Sequence, residues 1–401
     1  MTIRSVGAFL LSYPFPEPLR FPFHGGERTI VKRDALLIRV EADNGLVGYA
    51  PGPATEAAKR DIEKIIGPFL KGHRLADPDA LRVKFLEGPG QEWTLMKHYC
   101  AVEIALFDLA GKQQGLPVSE LLGGRVRDRI RLYGSAGMYM LPEQYAEEAH
   151  AISELGFRAY KMRAGIGPRD DVATVRLMRK AVGPDFDLMV DGQTWWRMGD
   201  ANYVLATIHD IAEQMGEYNL AWLEEPLPPE QHDLYRRLRE LDYVPVAAGS
   251  HEPTEHTYMD LIFSDCVDYV QMDVGCQGGY PTARRLLPEV AHAGMRFAFH
   301  SDGTALEVIA AAQLGICWPE MVVEWLEYPC YSAPSRAGMY PFPLAAEILT
   351  EPLNLDHGDL IVPREPGLGV EVDERAIERY PWIPGPWTSD RLDSPGRGSA
   401  A

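Results

Sequence analysis

From about Ile130 onward the chain repeats one unit, a short apolar run followed by a helix-like stretch of roughly ten to fifteen residues. The runs fall at 131–133, 159–162, 188–191, 221–224, 244–249, 269–273, 297–300 and 322–327. Strands separated by helices must pair in parallel through right-handed crossovers. A closed barrel accommodates eight of them better than an open sheet does. The expectation is an α/β fold with a barrel over residues 131–340.

Residues 1–130 lack that rhythm and read as an α+β domain. Residues 35–42 form a strand, Asp43-Asn44-Gly45 is a hairpin turn, and 47–50 is the return strand. Helices are expected at 57–69 and 96–114, the second ended by Gly115-Leu116-Pro117. Residues 13–28 carry Pro14, Pro16, Pro18, Pro22 and a Gly-Gly pair, and read as a long loop of functional kind. After Pro329 the alternation is lost; residues 341–388 form a Pro-rich C-terminal segment, and 389–401 read as disordered.

The net charge of −19 argues against a nucleic-acid partner, which needs clustered Lys and Arg. It leaves room for an anionic small molecule, because a few local cations can reverse the field inside a cleft. No window approaches the roughly 20 apolar residues of a membrane span, and the first residues lack the regions of a signal peptide. Cys100, Cys266, Cys276, Cys317 and Cys330 are odd in number and scattered, as expected of reduced thiols. A cytoplasmic location is the expectation. Lys32-Arg33 and Arg284-Arg285 read as solvated faces.

Three successive runs end in Asp191, in Glu224-Glu225-Pro226 and in Gly249-Ser250-His251-Glu252. Barrel enzymes assemble their sites at the C-terminal ends of the strands. Carboxylates converging there repel one another unless a hard cation such as Mg²⁺ neutralises them. A lone acid after a strand is more often a helix cap; the coincidence on successive strands favours metal. Lys161 and Arg163, two apart, share a face of their strand. A cation beside Lys161 would lower its pKa and suit it to act as a base, a role closed to an arginine. Asp273 and His300 end neighbouring strands, so the acid could orient the imidazole. The last run offers Glu324 and Glu327 on opposite faces, and Glu327, if protonated, could donate to a developing oxyanion.

These residues resemble the enolase superfamily, in its mandelate racemase-like branch of acid-sugar dehydratases. The resemblance spans nearly the whole chain and rests on the stretch 101–112 with Leu121-Leu122-Gly123-Gly124, on Trp222-Leu223-Glu224-Glu225-Pro226, on Gln271-Met272-Asp273 with Gly278-Gly279, and on His300. Residues 352–372 and the Ser250-His251 region are most similar to the rhamnonate dehydratase group. The resemblance implies a (β/α)7β modified TIM barrel under an α+β capping domain, with the C-terminal segment packing back on the cap and residues 13–28 as a specificity lid. It implies a hydro-lyase: Mg²⁺ chelates the carboxylate of a sugar acid, a base removes the α-proton, and the enediolate expels the β-hydroxyl to give a 2-keto-3-deoxy acid. By position, Asp191 and Glu224 match metal ligands, Asp273 and His300 a catalytic dyad, and Glu327 the acid of the last strand. Lys161 and Arg163 match the Lys-x-Lys pair on the opposite face, with arginine in place of the second lysine. Ser250 stands where the third metal carboxylate belongs, leaving Glu252 or His251 to reach in. Assembly as a homo-oligomer is also expected. The rival readings are a racemase or epimerase, and a barrel without catalysis.

Overall fold

The computed structural model describes residues 1–329 and 342–393. Cys330, the end of the expected barrel span and residues 394–401 lie outside the described residues. Among the described residues, fourteen strands form two sheets.

The first sheet belongs to the cap. Strand β1 (Ile3–Phe23) and β2 (Gly26–Ala42) make one long antiparallel hairpin, from Ile3 opposite Ala42 to Phe23 opposite Gly26. Residues 13–28 are therefore a hairpin, not the expected loop. The prolines are tolerated because β1 is an edge strand that pairs with β2 alone, and its register slips between Pro14 and Leu19, around Pro16 and Pro18. Strand β3 (Val47–Gly52) joins the inner half of β2. The helix Trp93–Gln114 packs on this sheet and buries sixteen of its residues, from Leu95 to Gly111, before left-handed Gly115 ends it.

The second sheet is the barrel. Its strands are β4 (Arg129–Met138), β5 (Ala159–Arg163), β6 (Asp187–Asp191), β7 (Trp222–Glu224), β8 (Val246–Ala248), β9 (Tyr269–Met272), β10 (Arg296–Phe299) and β11 (Val323–Pro329). Each pairs in parallel with the next, and β11 pairs with β4, Glu327 opposite Tyr133, to close the ring.

One buried side chain from every barrel strand fills the interior: Tyr133, Ala159, Met189, Trp222, Ala247, Tyr269, Ala298 and Trp325. Trp222 meets Tyr133 edge-on at 5.3 Å and Tyr269 at 4.9 Å between centroids. This plug sets the rest. Side chains alternate along a strand, so the residue two positions further faces the axis one layer higher. That layer reads Ser135, Lys161, Asp191, Glu224, Gly249, Gln271, His300 and Glu327. Every barrel strand thus delivers one residue to the C-terminal mouth.

After residue 342 the chain ties the domains together. Strands β12 (Leu355–Asp356) and β13 (Asp359–Ile361) form a small hairpin, with β13 antiparallel to β4. Strand β14 (Thr388–Leu392) pairs with the outer half of β2. Residues 389–392, expected to be disordered, are thus held by a ladder that the polar composition conceals. No helix among the described residues is long and apolar enough to cross a membrane.

Candidate active site

Lys161 is buried at the centre of the mouth, with Nζ donating to Glu224 Oε1 at 2.6 Å and lying 3.2 Å from Glu327 Oε1. Burial alone would lower its pKa, but Glu224, Glu327 and Asp191 outweigh burial and hold it up. This corrects the expectation that Arg163 makes Lys161 a neutral base: Arg163 does push in that direction, and three acids push harder. Arg163 lies on the same face, 3.8 Å from Asp191, and 3.9 Å from both Glu327 and Asp302.

Glu327 is fully buried and accepts from the Tyr133 hydroxyl at 3.1 Å. Burial pushes its carboxyl up, yet Lys161, His300 and Arg163 bring it down to about 2. It is therefore a counter-ion at neutral pH and not the proton donor expected. Glu324 points to the opposite end of the barrel, where Tyr269 donates to it at 2.7 Å.

His300 bridges two acids, with Nδ1 3.5 Å from Asp273 Oδ2 and Nε2 3.6 Å from Glu327 Oε2. Asp273 is fixed in turn, since Oδ1 accepts from the backbone N–H of Gly275 at 2.7 Å and of Cys276 at 3.0 Å. Burial pulls the imidazole down, but Glu327 and Asp273 carry it to about 9. In the resting site His300 is an imidazolium.

Asp191 and Glu224 are register partners on β6 and β7. Glu224 is already engaged: besides Lys161, it accepts from Trp222 Nε1 at 3.0 Å and from Gln271 Nε2 at 2.7 Å. Beyond it Glu225 takes a left-handed φ of 41°, a strained conformation for a side chain before proline. That twist separates two consecutive acids, Glu224 to the barrel axis and Glu225 to the loop after β8. There Ser250 Oγ donates to Glu225 Oε1 at 2.8 Å and His251 pairs with Oε2. Gly249 precedes them at φ 137°, where any Cβ would collide with the Gln271 carbonyl.

Glu252 does not join the acids at the mouth. It is buried against His232 Nε2 at 3.0 Å, and His232 also pairs with Asp260. Among the described residues, the one trio of metal-capable side chains with ligand atoms within 4.8 Å of one another is Asp273, Cys276 and Glu307. Asp191 and Glu224 therefore lack a third carboxylate, and the donor set does not fit the expected three-carboxylate Mg²⁺ centre. Ammonium and guanidinium groups occupy the neighbourhood instead.

Asp273 opens on a cavity of about 330 Å³ between barrel and cap, lined also by Asp302 and Glu307 below and Arg33, Thr55 and Trp387 above. Lys32 and Arg33 are not solvated as expected but 3% and 5% exposed. Lys32 pairs with Asp34 and faces the Trp382 ring; Arg33 donates to Asp302 and lies over Trp387 and Phe342. The hairpin tip reaches the mouth too, His24 N–H donating to the Gly165 carbonyl at 2.7 Å. Sequence reasoning missed Glu225, Arg33, Asp302 and Glu307; the doubled acid before Pro226 was the one visible signal.

Two family models match the chain, "Enolase C-terminal domain-like" over residues 144–376 and "Mandelate racemase / muconate lactonizing enzyme, N-terminal domain" over residues 11–123. A D-galactarolactone cycloisomerase from Agrobacterium fabrum is 28% identical over 393 residues, covering 95% of this chain and 99% of that protein. The crystal structure of the 3,6-anhydro-D-galactonate cycloisomerase from Zobellia galactanivorans superposes with a TM-score of 0.80 at 26% identity, covering 95% and 99% of the two chains. A member of the enolase superfamily from Polaromonas sp. JS666 gives a TM-score of 0.82 at 26% identity, covering 96% and 99%. With its barrel, its cap and both family models in agreement, the chain belongs to the enolase superfamily.

Proposed function

We propose that this protein is an acid-sugar enzyme that moves the proton α to a carboxylate and breaks the β carbon–oxygen bond. The observation that carries this reading is His300, held between Asp273 and Glu327 across the mouth from Lys161 and Arg163. The cations on β5 bind the substrate carboxylate and stabilise the charge that develops on it when the α-proton leaves. His300 in its neutral form takes that proton, with Asp273 fixing the tautomer. As imidazolium it can return a proton to the departing oxygen. Glu327 links the two sides, keeping Lys161 and His300 charged at rest.

What leaves decides the product. A β-hydroxyl gives dehydration to a 2-keto-3-deoxy acid, whereas a ring oxygen that remains attached gives an isomer. The two cycloisomerase relatives favour adding the second outcome to the expected hydro-lyase reaction. Members of this superfamily typically use Mg²⁺. Asp191 and Glu224 would be its ligands here, but without a third carboxylate the binding of the substrate carboxylate falls to Lys161 and Arg163. The cavity that Asp273 lines admits a small polar molecule, and its cap side would select the sugar acid.

Incubation with aldonates, aldarates and their lactones in deuterated water tests the reading. One deuterium at C3 of a 2-keto-3-deoxy product, formed with loss of water or by ring opening without it, is the expected result. Absence of both exchange and turnover across the panel, with and without added Mg²⁺, would overturn it.

A further inference from the structure

Behind the dyad lies an acid with no part in the chemistry so far. Glu307, in the first turn of the helix Ala305–Gly315, is 5% exposed. Its carboxylate and that of Asp273 are within 4.8 Å. A Cβ added to Gly275 would stand 3.3 Å from both Asp273 Oδ1 and Glu307 Oε1, so the two oxygens converge on one spot. Gly303 closes the other side, where any Cβ would collide with Glu307 Oε2. No Lys, Arg or His among the described residues pairs with Glu307. Two carboxylates this close and this dry repel one another, which favours a proton on the Glu307 carboxyl.

We propose that Glu307 is a positioning residue for His300, sharing one proton with Asp273 and thereby setting how strongly Asp273 grips the imidazole. The inference rests on His300 being the proton-transfer group proposed above. Burial and then Asp273 push the Glu307 carboxyl well above the ordinary carboxylate range, which agrees with a proton resident there at neutral pH. Asp273 Oδ1 then has three donors, two backbone N–H groups and the Glu307 O–H, while Oδ2 faces His300. Spreading the Asp273 charge over those donors weakens its pull on the imidazolium. The other groups bearing on the imidazole are Glu327 from β11, Lys161 from β5 and Glu225 after β7. Asp302 and Cys276 face Glu307 from the flanking loops, and Arg33 and Asp34 face it across the cavity.

The sign of the response separates this arrangement from an ionised Glu307. The imidazole midpoint of His300 is followed by ¹⁵N NMR in the resting protein, its resonance assigned by loss in His300→Asn. Glu307→Gln keeps a neutral donor, so the midpoint should stay within about 0.3 unit of the native value. Glu307→Ala strips the donor, leaves Asp273 a bare anion, and should raise the midpoint by about one unit. If an acid-sugar substrate is turned over, kcat/KM of Glu307→Ala at neutral pH should fall about tenfold and recover above the new midpoint. A midpoint lowered by Glu307→Gln would show an ionised glutamate and overturn the proposal, as would a Glu307→Ala midpoint unmoved in a folded protein. The titration needs no substrate, so a failed activity screen leaves this test intact.

Discussion

Replacing Ser250 by glutamate should raise the affinity of the barrel mouth for divalent cations. At rest Asp191, Glu224, Glu327, Asp273 and Asp302 face Lys161, Arg163, His300 and Arg33, so one negative charge is left over. A glutamate at position 250 doubles that surplus to the charge of one Mg²⁺. It also stands on the loop after β8, next in order after Asp191 on β6 and Glu224 on β7. Even at the dielectric constant of water, a carboxylate about 4 Å from a divalent ion contributes ~2 kcal/mol, roughly 30-fold in Kd. A partly dry mouth would give more. Calorimetric titration with Mg²⁺, or paramagnetic resonance of Mn²⁺, reads the difference without any substrate. The native chain should give little signal at millimolar Mg²⁺, and Ser250→Glu should bind at least about thirtyfold tighter. Tight binding by the native chain, or no gain in a folded variant, would refute the charge accounting.

Three further outcomes follow from the same geometry. His300→Asn should lower kcat by about 10²–10⁴ while leaving the circular dichroism unchanged; full activity would remove His300 from the chemistry. Because the imidazole is held near 9 and acts as a base only when neutral, kcat/KM should climb with pH toward about 9. Asp273→Asn, which removes one of the groups raising it, should move that limb to lower pH, and an unmoved limb would contradict the dyad. His232, carried to about 9 by Glu252 and Asp260, contributes stability that is complete below about 6.5 and lost as pH rises through 9. Unscreened, that shift is worth about 3.4 kcal/mol; with Asp260 52% exposed to solvent, ~1–2 kcal/mol is expected in urea unfolding between pH 6 and pH 9.5. The dependence should flatten in His232→Gln, and an equally steep one there would place its origin elsewhere.

What the sequence could reveal follows from what a strand does to its side chains. Period-two alternation is local, so Lys161 and Arg163 could be put on one face, and Glu324 and Glu327 on opposite faces, from spacing alone. The C-terminal ends of barrel strands converge by topology, so Asp191, Glu224, Asp273 and His300 could be gathered at one mouth with only the strand order in hand. Even β7 and β8, with three residues each, were marked by the acids and glycine that follow them.

Electrostatics is where that locality ends. Arg163 was expected to depress Lys161 because it is the charge nearest in sequence, but the field at Lys161 is set by Glu224 and Glu327, from strands distant in the chain. The same holds for Lys32 and Arg33, whose partners Trp382, Trp387 and Asp302 lie some 270 residues or more away. Prolines misled for a related reason. A proline breaks a ladder only if its missing N–H would have had a partner, and no other strand pairs with β1 on its outer side. Glu225 shows the limit most sharply. Adjacent acids on a strand already point apart, but the left-handed turn at Glu225 decides that one serves the barrel axis while the other anchors Ser250 and His251. The identity of a residue at a strand end thus says which charges reach the mouth; their pairing across the barrel decides what those charges can do.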